Sequence, residues 1–350
     1  MPKIRQSNIE LLRILAMFMI CVIHANMVSL PHPSTKDLLV SPLPTITRYF
    51  IESLGIVGVN IFVFISGWFT INTRKKSYFA FFFQILMLWG GSFLLFSMLG
   101  LAEFNISNIM EVFAFSSRDW FIKAYVVLLI IAPVLNKFLE HSSEELQRKI
   151  IVCFFIFTCT YGWFGGAKRF FVSGYTPLLF IGLYLLSHYI RNCCHYNSTP
   201  QIIKKMISKD KKYDLVVFFV CALINTFLGI IGLYFEKKTA YGLVYAYTNP
   251  FTITGALFLL LYFSKLDLGH NRLINYFATG SFGVFLIHSE KTVIRPLFTK
   301  CVVFLYNYSS SIICLMSIFI FLLLVYVVSV IIDRPRFILW NIISNKYHIK

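Results

Sequence analysis

Charge is scarce in this 350-residue chain: Asp, Glu, Lys and Arg together make up 13% of it, and acidic residues number 15. So little charge, set against 58% hydrophobic residues and a mean hydropathy of +0.73, excludes a water-solvated globule and describes a chain solvated by lipid. The sequence also lacks a long polar linker, an internal repeat or a low-complexity tract. That leaves a single integral domain over 1–350 with no appended soluble module. Clustered metal-ligand pairs are missing as well. The eight cysteines, among them Cys21, Cys153 and Cys221, fall mostly inside apolar runs and read as small hydrophobes. Cys193, Cys194 and His195 stand without the second pair that a zinc site needs, so no metal is expected. Lys3 and Arg5 precede an apolar run, but no small residue stands three before a cut after Ala25, and the segment is expected to stay in place.

What is abundant is large apolar side chains and positive charge. Phe occurs 38 times, spread around whole runs instead of along one stripe, as lipid-facing helices require. The net charge of +17 invites a nucleic-acid reading, but the basic residues sit in short loops between apolar runs and form no continuous patch or binding module. No nucleic-acid partner is expected; membrane lipid is.

Runs long enough for about 20 residues of helix predict an all-α bundle of about ten spans, near 9–29, 52–71, 78–100, 120–139, 149–166, 174–190, 213–234, 245–264, 273–289 and 311–332. The larger share of the 32 Lys and Arg residues falls on one side of such a bundle, which places both termini in the cytoplasm. The longest connections are 30–51, 101–119 and 191–212. Pro31, Pro33, Pro42 and Pro44 stop the first helix and predict an irregular loop after it. The basic 191–212 loop marks the inner surface, lies against anionic lipid, or touches an anionic cofactor.

The first span, IELLRILAMFMICVIHANMVS, carries Glu10, Arg13 and His24, and ionisable groups at membrane depth are functional candidates. Arg13 and His24 are eleven residues apart, three helical turns plus roughly 20°, so both leave one face about 16 Å apart along the axis. In the second span, GIVGVNIFVFISGWF, small residues permit close helix packing, while Asn60 and Ser66 can hydrogen-bond across the contact. Arg74, Lys75 and Lys76, which follow, grip phosphates or mark the inner surface. At the fourth span, Asp119 and Trp120 are a helix cap and an interfacial aromatic, or a carboxylate beside an aromatic platform suited to a sugar hydroxyl. In the ninth, Ser281 and His288 share a face, with Gly280 and Gly283 making room, and His288 would reach the depth of His24. An acyl thioester of coenzyme A suits this layout: cytoplasmic cations hold its phosphates while the pantetheine arm runs along the first helix to His24 as general base.

Arg13 and His24 in the first span, GVNIFVFISGW at 58–68, RDWFIKAYVVLLIIAPVLN at 118–136 and FGVFLIH at 282–288 together resemble the acyltransferase 3 family of integral-membrane acyltransferases. The likeness runs in order along nearly the whole chain, and is strongest to bacterial members that O-acetylate surface polysaccharides. It implies a ten-helix bundle in the bacterial inner membrane, acetyl-CoA as a donor substrate with no permanently bound cofactor, and an acceptor that is an envelope polysaccharide or its lipid-linked precursor. It also implies His24 as the catalytic histidine, Arg13 as a donor-binding or site-shaping residue, and an architectural role for Ser66 and Gly67. One departure stands out: some members carry two arginines three apart at the start of the third helix, whereas here Arg74, Lys75 and Lys76 lead to Ser77. Two other classes remain open on the sequence, a transporter or flippase of lipid-linked saccharides and a structural subunit of an envelope assembly complex.

Overall fold

The computed structural model describes residues 5–112, 120–163, 171–196, 199–237, 239–308 and 311–348. All regular structure among the described residues is helical. Among the described residues, six helices are long and apolar enough to cross a bilayer: Ser7–Ser29, Pro42–Phe69, Lys75–Met98, Trp120–His141, Lys211–Tyr234 and Ile312–Lys346. Of the other expected spans, three are the shorter helices Glu144–Thr160, Pro177–Asn192 and Pro250–Ser264, and the ninth is broken into Arg272–Thr279 and Ser281–His288 at Gly280. A multi-pass helical membrane protein follows from these lengths and their apolar composition.

Several connections are more ordered than the sequence suggests. The 30–51 stretch, expected to be irregular, contains Thr35–Val40 and the start of Pro42–Gly55. Pro42 occupies the first helical turn, where its missing N–H has no intrahelical partner to lose, so it starts a helix instead of preventing one. Ser34 and Asp37 form a reciprocal capping box one helix earlier, with Ser34 N donating to Asp37 Oδ2 at 2.8 Å. The helix Gln201–Ile207 lies within 191–212, and Ile294–Asn307 fills the connection after the ninth span. The eighth span begins at Pro250 and not at 245, because Asn249 caps it, its Oδ1 accepting from Phe251 N at 2.8 Å.

Burial separates the centre from the rim. Pro42–Phe69 is the most enclosed long helix at 78%, whereas Ile312–Lys346 buries 22% and presents Ile312, Phe319, Leu324 and Ile331 outward. The first helix packs on Pro42–Gly55, Val57–Phe69 and both halves of the ninth span. Gly58 makes part of this contact possible: a Cβ there would lie 2.7 Å from the carbonyl oxygen of Ala16.

The two ends of the bundle differ in chemistry. At one, Ser7 Oγ accepts from Asn271 N at 2.8 Å and Asn8 donates to Phe263 O at 3.0 Å. Close by, Asp214 holds Lys265, and Asp333 holds Arg336 at 2.7 and 2.8 Å. Ser7 and Asp333 thus share this end. The other end gathers His24, Glu52, the 241–247 connection and the start of Ile294–Asn307 around one cavity.

Candidate functional site

The first helix is regular from Ser7 to Ile23 and then widens into a π-helical segment, His24–Ser29. Such segments disturb the regular hydrogen-bond ladder and recur at functional positions. Ser29 Oγ donates back to His24 O at 2.8 Å and pairs with Thr299 Oγ1 at 3.2 Å, tying the segment to the helix Ile294–Asn307. A second π-helical segment, Leu86–Gly90, carries Trp89 to the same cavity. Its indole N–H donates to Leu286 O at 2.7 Å, bracing the half-helix that ends in His288.

The cavity has a volume of about 890 Å³. His24 lines it half-buried, and His288, fully buried, stands behind with its Nε2 at 2.9 Å from His24 Nδ1. The proton positions follow from the outer partner. Val284 O lies 2.6 Å from His288 Nδ1, and a carbonyl oxygen only accepts, so that nitrogen carries the proton. In a neutral pair, Nε2 of His288 then accepts from Nδ1–H of His24, and Nε2 of His24 is left as the basic nitrogen. This is the arrangement of an oriented general base: one imidazole exposed to a reactant, its tautomer set by a second group.

The same cavity has an aromatic lining and one carboxylate. Trp120 packs edge-on to Tyr175 at 4.5 Å between centroids and lies 5.4 Å from Tyr247. Glu52, 3% exposed, accepts from Asn26 Nδ2 at 3.0 Å and from the Tyr241 hydroxyl at 3.0 Å. Burial and the adjoining carboxylate push the Tyr241 phenol above its ordinary range, which keeps it a donor. Arg48 completes the cluster by donating to Asn26 Oδ1 at 3.1 Å and Asn26 O at 2.8 Å. A flat apolar face with a hydroxyl-accepting carboxylate at its edge is the chemistry that recognises a pyranose ring.

The remaining sequence candidates divide between the cavity and the other end. Trp120 lines the cavity; Asp119 lies outside the described residues. The carboxylate that the structure does set on the aromatic wall is Glu52, an acid inside an apolar helix that the sequence reading passed over. Arg13 does not line this cavity: its Nε lies 3.2 Å from Oε2 of the buried Glu10, which also meets Arg5 at 3.5 Å. Asn60, fully buried, donates to Tyr247 O at 3.1 Å and so anchors the aromatic wall from behind. Ser66 Oγ donates to Phe62 O and pairs with Tyr125 OH, both at 3.1 Å, and Gly67 lies against the backbone of Tyr184. Arg74 and Lys75 are exposed and Lys76 half-buried at the start of Lys75–Ile85, away from the cavity. Arg295 and Lys300, also missed, line the cavity from a helix that the sequence reading left as a connection.

Among the described residues, no group of three or more His, Cys, Asp or Glu could hold a metal ion. Residues 6–334 match the family model Acyltransferase 3, described as an acyltransferase domain. No curated protein and no solved structure matches the chain.

Proposed function

Because this chain belongs to the acyltransferase 3 family, we propose that it is the membrane O-acyltransferase that moves an acetyl or other short acyl group from acyl-CoA to a hydroxyl of a cell-surface polysaccharide or its lipid-linked precursor. The observation that carries the reading is the His24–His288 contact at 2.9 Å on a cavity that Trp120 and Glu52 also line. Nε2 of His24 takes the proton from the acceptor hydroxyl as its oxygen attacks the thioester carbonyl. The tetrahedral adduct collapses with loss of the C–S bond, the coenzyme A sulfur recovers the proton from His24, and the new C–O ester remains on the glycan. His288 acts through His24 and is a positioning residue. Trp120 and Glu52 hold the sugar so that one hydroxyl meets the base.

The donor arrives from the Arg13 end. Arg13, with Arg74, Lys75 and Lys76 at the bundle's rim, binds the coenzyme A phosphates, and the thioester arm ascends toward His24. On this reading the Ser7 and Asp333 end is cytoplasmic, the shorter helices complete ten crossings, and the protein works in the bacterial inner membrane. Isotope-labelled acetyl-CoA supplied to the Arg13 face of oriented vesicles tests it. Label covalently attached to glycan at the opposite face is expected; glycan that crosses unlabelled would make the protein a transporter.

A further inference from the structure

The cavity has a third wall that the reaction above does not use. Arg295, Pro296, Thr299 and Lys300 all line it, in the i, i+1, i+4, i+5 pattern of one helix face, while Phe298 and Val302, on the flank of that face beside Arg295, are buried in the bundle. Among the described residues, the nearest acid in the chain forms no ion pair with this face. Glu290 spends both carboxylate oxygens capping the helix: Oε1 accepts from Thr292 N at 2.9 Å and from Thr292 Oγ1, and Oε2 from Val293 N at 3.1 Å and Ile294 N at 3.0 Å. The one carboxylate among the described residues that line the cavity is Glu52, which hydrogen-bonds Asn26 and Tyr241 and makes no ion pair with Arg295 or Lys300. The contact between Ser29 and Thr299 fixes the basic face beside the π-helical segment that bears His24. A half-buried guanidinium, with an exposed ammonium at the rim, thus lines a cavity mostly walled by apolar and aromatic groups, where an arriving anion would be bound more strongly than in water.

Resting on the acyl-transfer reading, we propose that Arg295 and Lys300 form a subsite for an anionic group, a phosphate or a carboxylate, carried by the acyl acceptor close to the hydroxyl that is modified. The enzyme is then selective for acidic acceptors: a glycan containing a uronic acid, or a sugar still attached to a lipid diphosphate. The planar guanidinium of Arg295 gives either group a two-point hydrogen-bonded contact, and Lys300 adds charge. Donor phosphates are excluded from this role by position, since on the same reading they stay at the Arg13 end.

Binding tests the subsite without catalysis. Purified full-length protein in detergent, free of acetyl-CoA, is titrated with methyl β-glucoside, methyl β-glucuronide and polyprenyl-diphosphate-linked N-acetylglucosamine. At least one acidic probe should bind about tenfold or more tightly than the glucoside, and the tighter of the two identifies the source of the anion. Arg295→Gln and Lys300→Gln should each shrink that ratio several-fold, and Arg295→Lys should retain part of it. Raising the salt on the unmodified protein should erode the ratio as well, a readout that needs no variant to fold. Equal binding of neutral and acidic probes, or displacement of the acidic probe by free coenzyme A, overturns the subsite. The two readings fail separately: acetyl transfer without acidic preference removes the subsite alone, whereas acidic preference without acetyl transfer removes the acyl-transfer reading alone.

Discussion

His24 and His288, 264 residues apart in the chain, meet through Nδ1 and Nε2 at 2.9 Å, and the second imidazole is itself tied to the carbonyl of Val284. The half-helix Ser281–His288 and the π-helical segment His24–Ser29 converge to make this contact. Its polarity runs one way, from the Val284 carbonyl outward to the basic nitrogen of His24, so what is done to His288 should be felt as chemistry at His24.

His288→Leu removes the acceptor for Nδ1–H of His24 and lets the imidazole turn or change tautomer. We expect kcat to fall by about ten- to a hundredfold, equivalent to about 1.4–2.7 kcal/mol of barrier, with little change in the KM for either substrate. His288→Gln, whose amide oxygen can still accept, should recover part of the loss. A purely structural role would instead lower both variants in proportion to their thermal stability, so kcat is measured beside the melting temperature.

Gly67 tests the packing that holds the bundle together. A methyl group there would collide with the backbone of Tyr184, where no rotamer can yield, so Gly67→Ala should destabilise by about 1–3 kcal/mol or abolish folded protein. Gly91 is the control: a Cβ at that helical position meets nothing within 4 Å, and Gly91→Ala should be neutral or gain up to about 1 kcal/mol. Size-exclusion profiles and melting temperatures in detergent decide both.

The contrast between these residues shows what the sequence exposes. Glu10, Arg13 and His24 stand out on one apolar run because a helix repeats locally, and the FGVFLIH segment places His288 at the end of its span by counting alone. That His288 touches His24 depends on a break at Gly280 and on the brace from Trp89, neither of which has a local signature. Glu52 escapes notice for the same reason. It sits at the edge of an expected span, and only the fold brings Asn26 from the first helix and Tyr241 from the 241–247 connection onto its oxygens. The prolines of 30–51 misled in a different way, because Pro42 breaks a helix in the interior and favours one at the first turn.

Glu52 offers a stability and binding test in one residue. Both of its oxygens accept hydrogen bonds; in Glu52→Gln the amide oxygen still accepts from Asn26 Nδ2 while the new N–H donates to the Tyr241 hydroxyl oxygen, so stability should change by less than about 1 kcal/mol, whereas Glu52→Ala strands both donors and should cost about 1–3 kcal/mol. Acceptor KM should rise in Glu52→Gln, because the charged oxygen offered to the sugar is gone. An unchanged acceptor KM in folded Glu52→Gln would limit Glu52 to a structural role.

Arg13 separates donor binding from ion pairing. Its Nε contacts Oε2 of Glu10, whose carboxylate is buried and, among the described residues, is otherwise paired only with the more exposed Arg5, at 3.5 Å. Removing the charge with Arg13→Gln therefore has two effects that point to different measurements. It leaves a buried carboxylate poorly compensated, which lowers the melting temperature, and it deletes a phosphate contact, which raises the KM for acetyl-CoA by roughly tenfold. Arg13→Gln combined with Glu10→Gln cancels the first effect and not the second. In that pair stability should recover while acetyl-CoA binding stays weak; normal acetyl-CoA affinity in the double variant would show that Arg13 serves the fold and that the donor phosphates are held elsewhere.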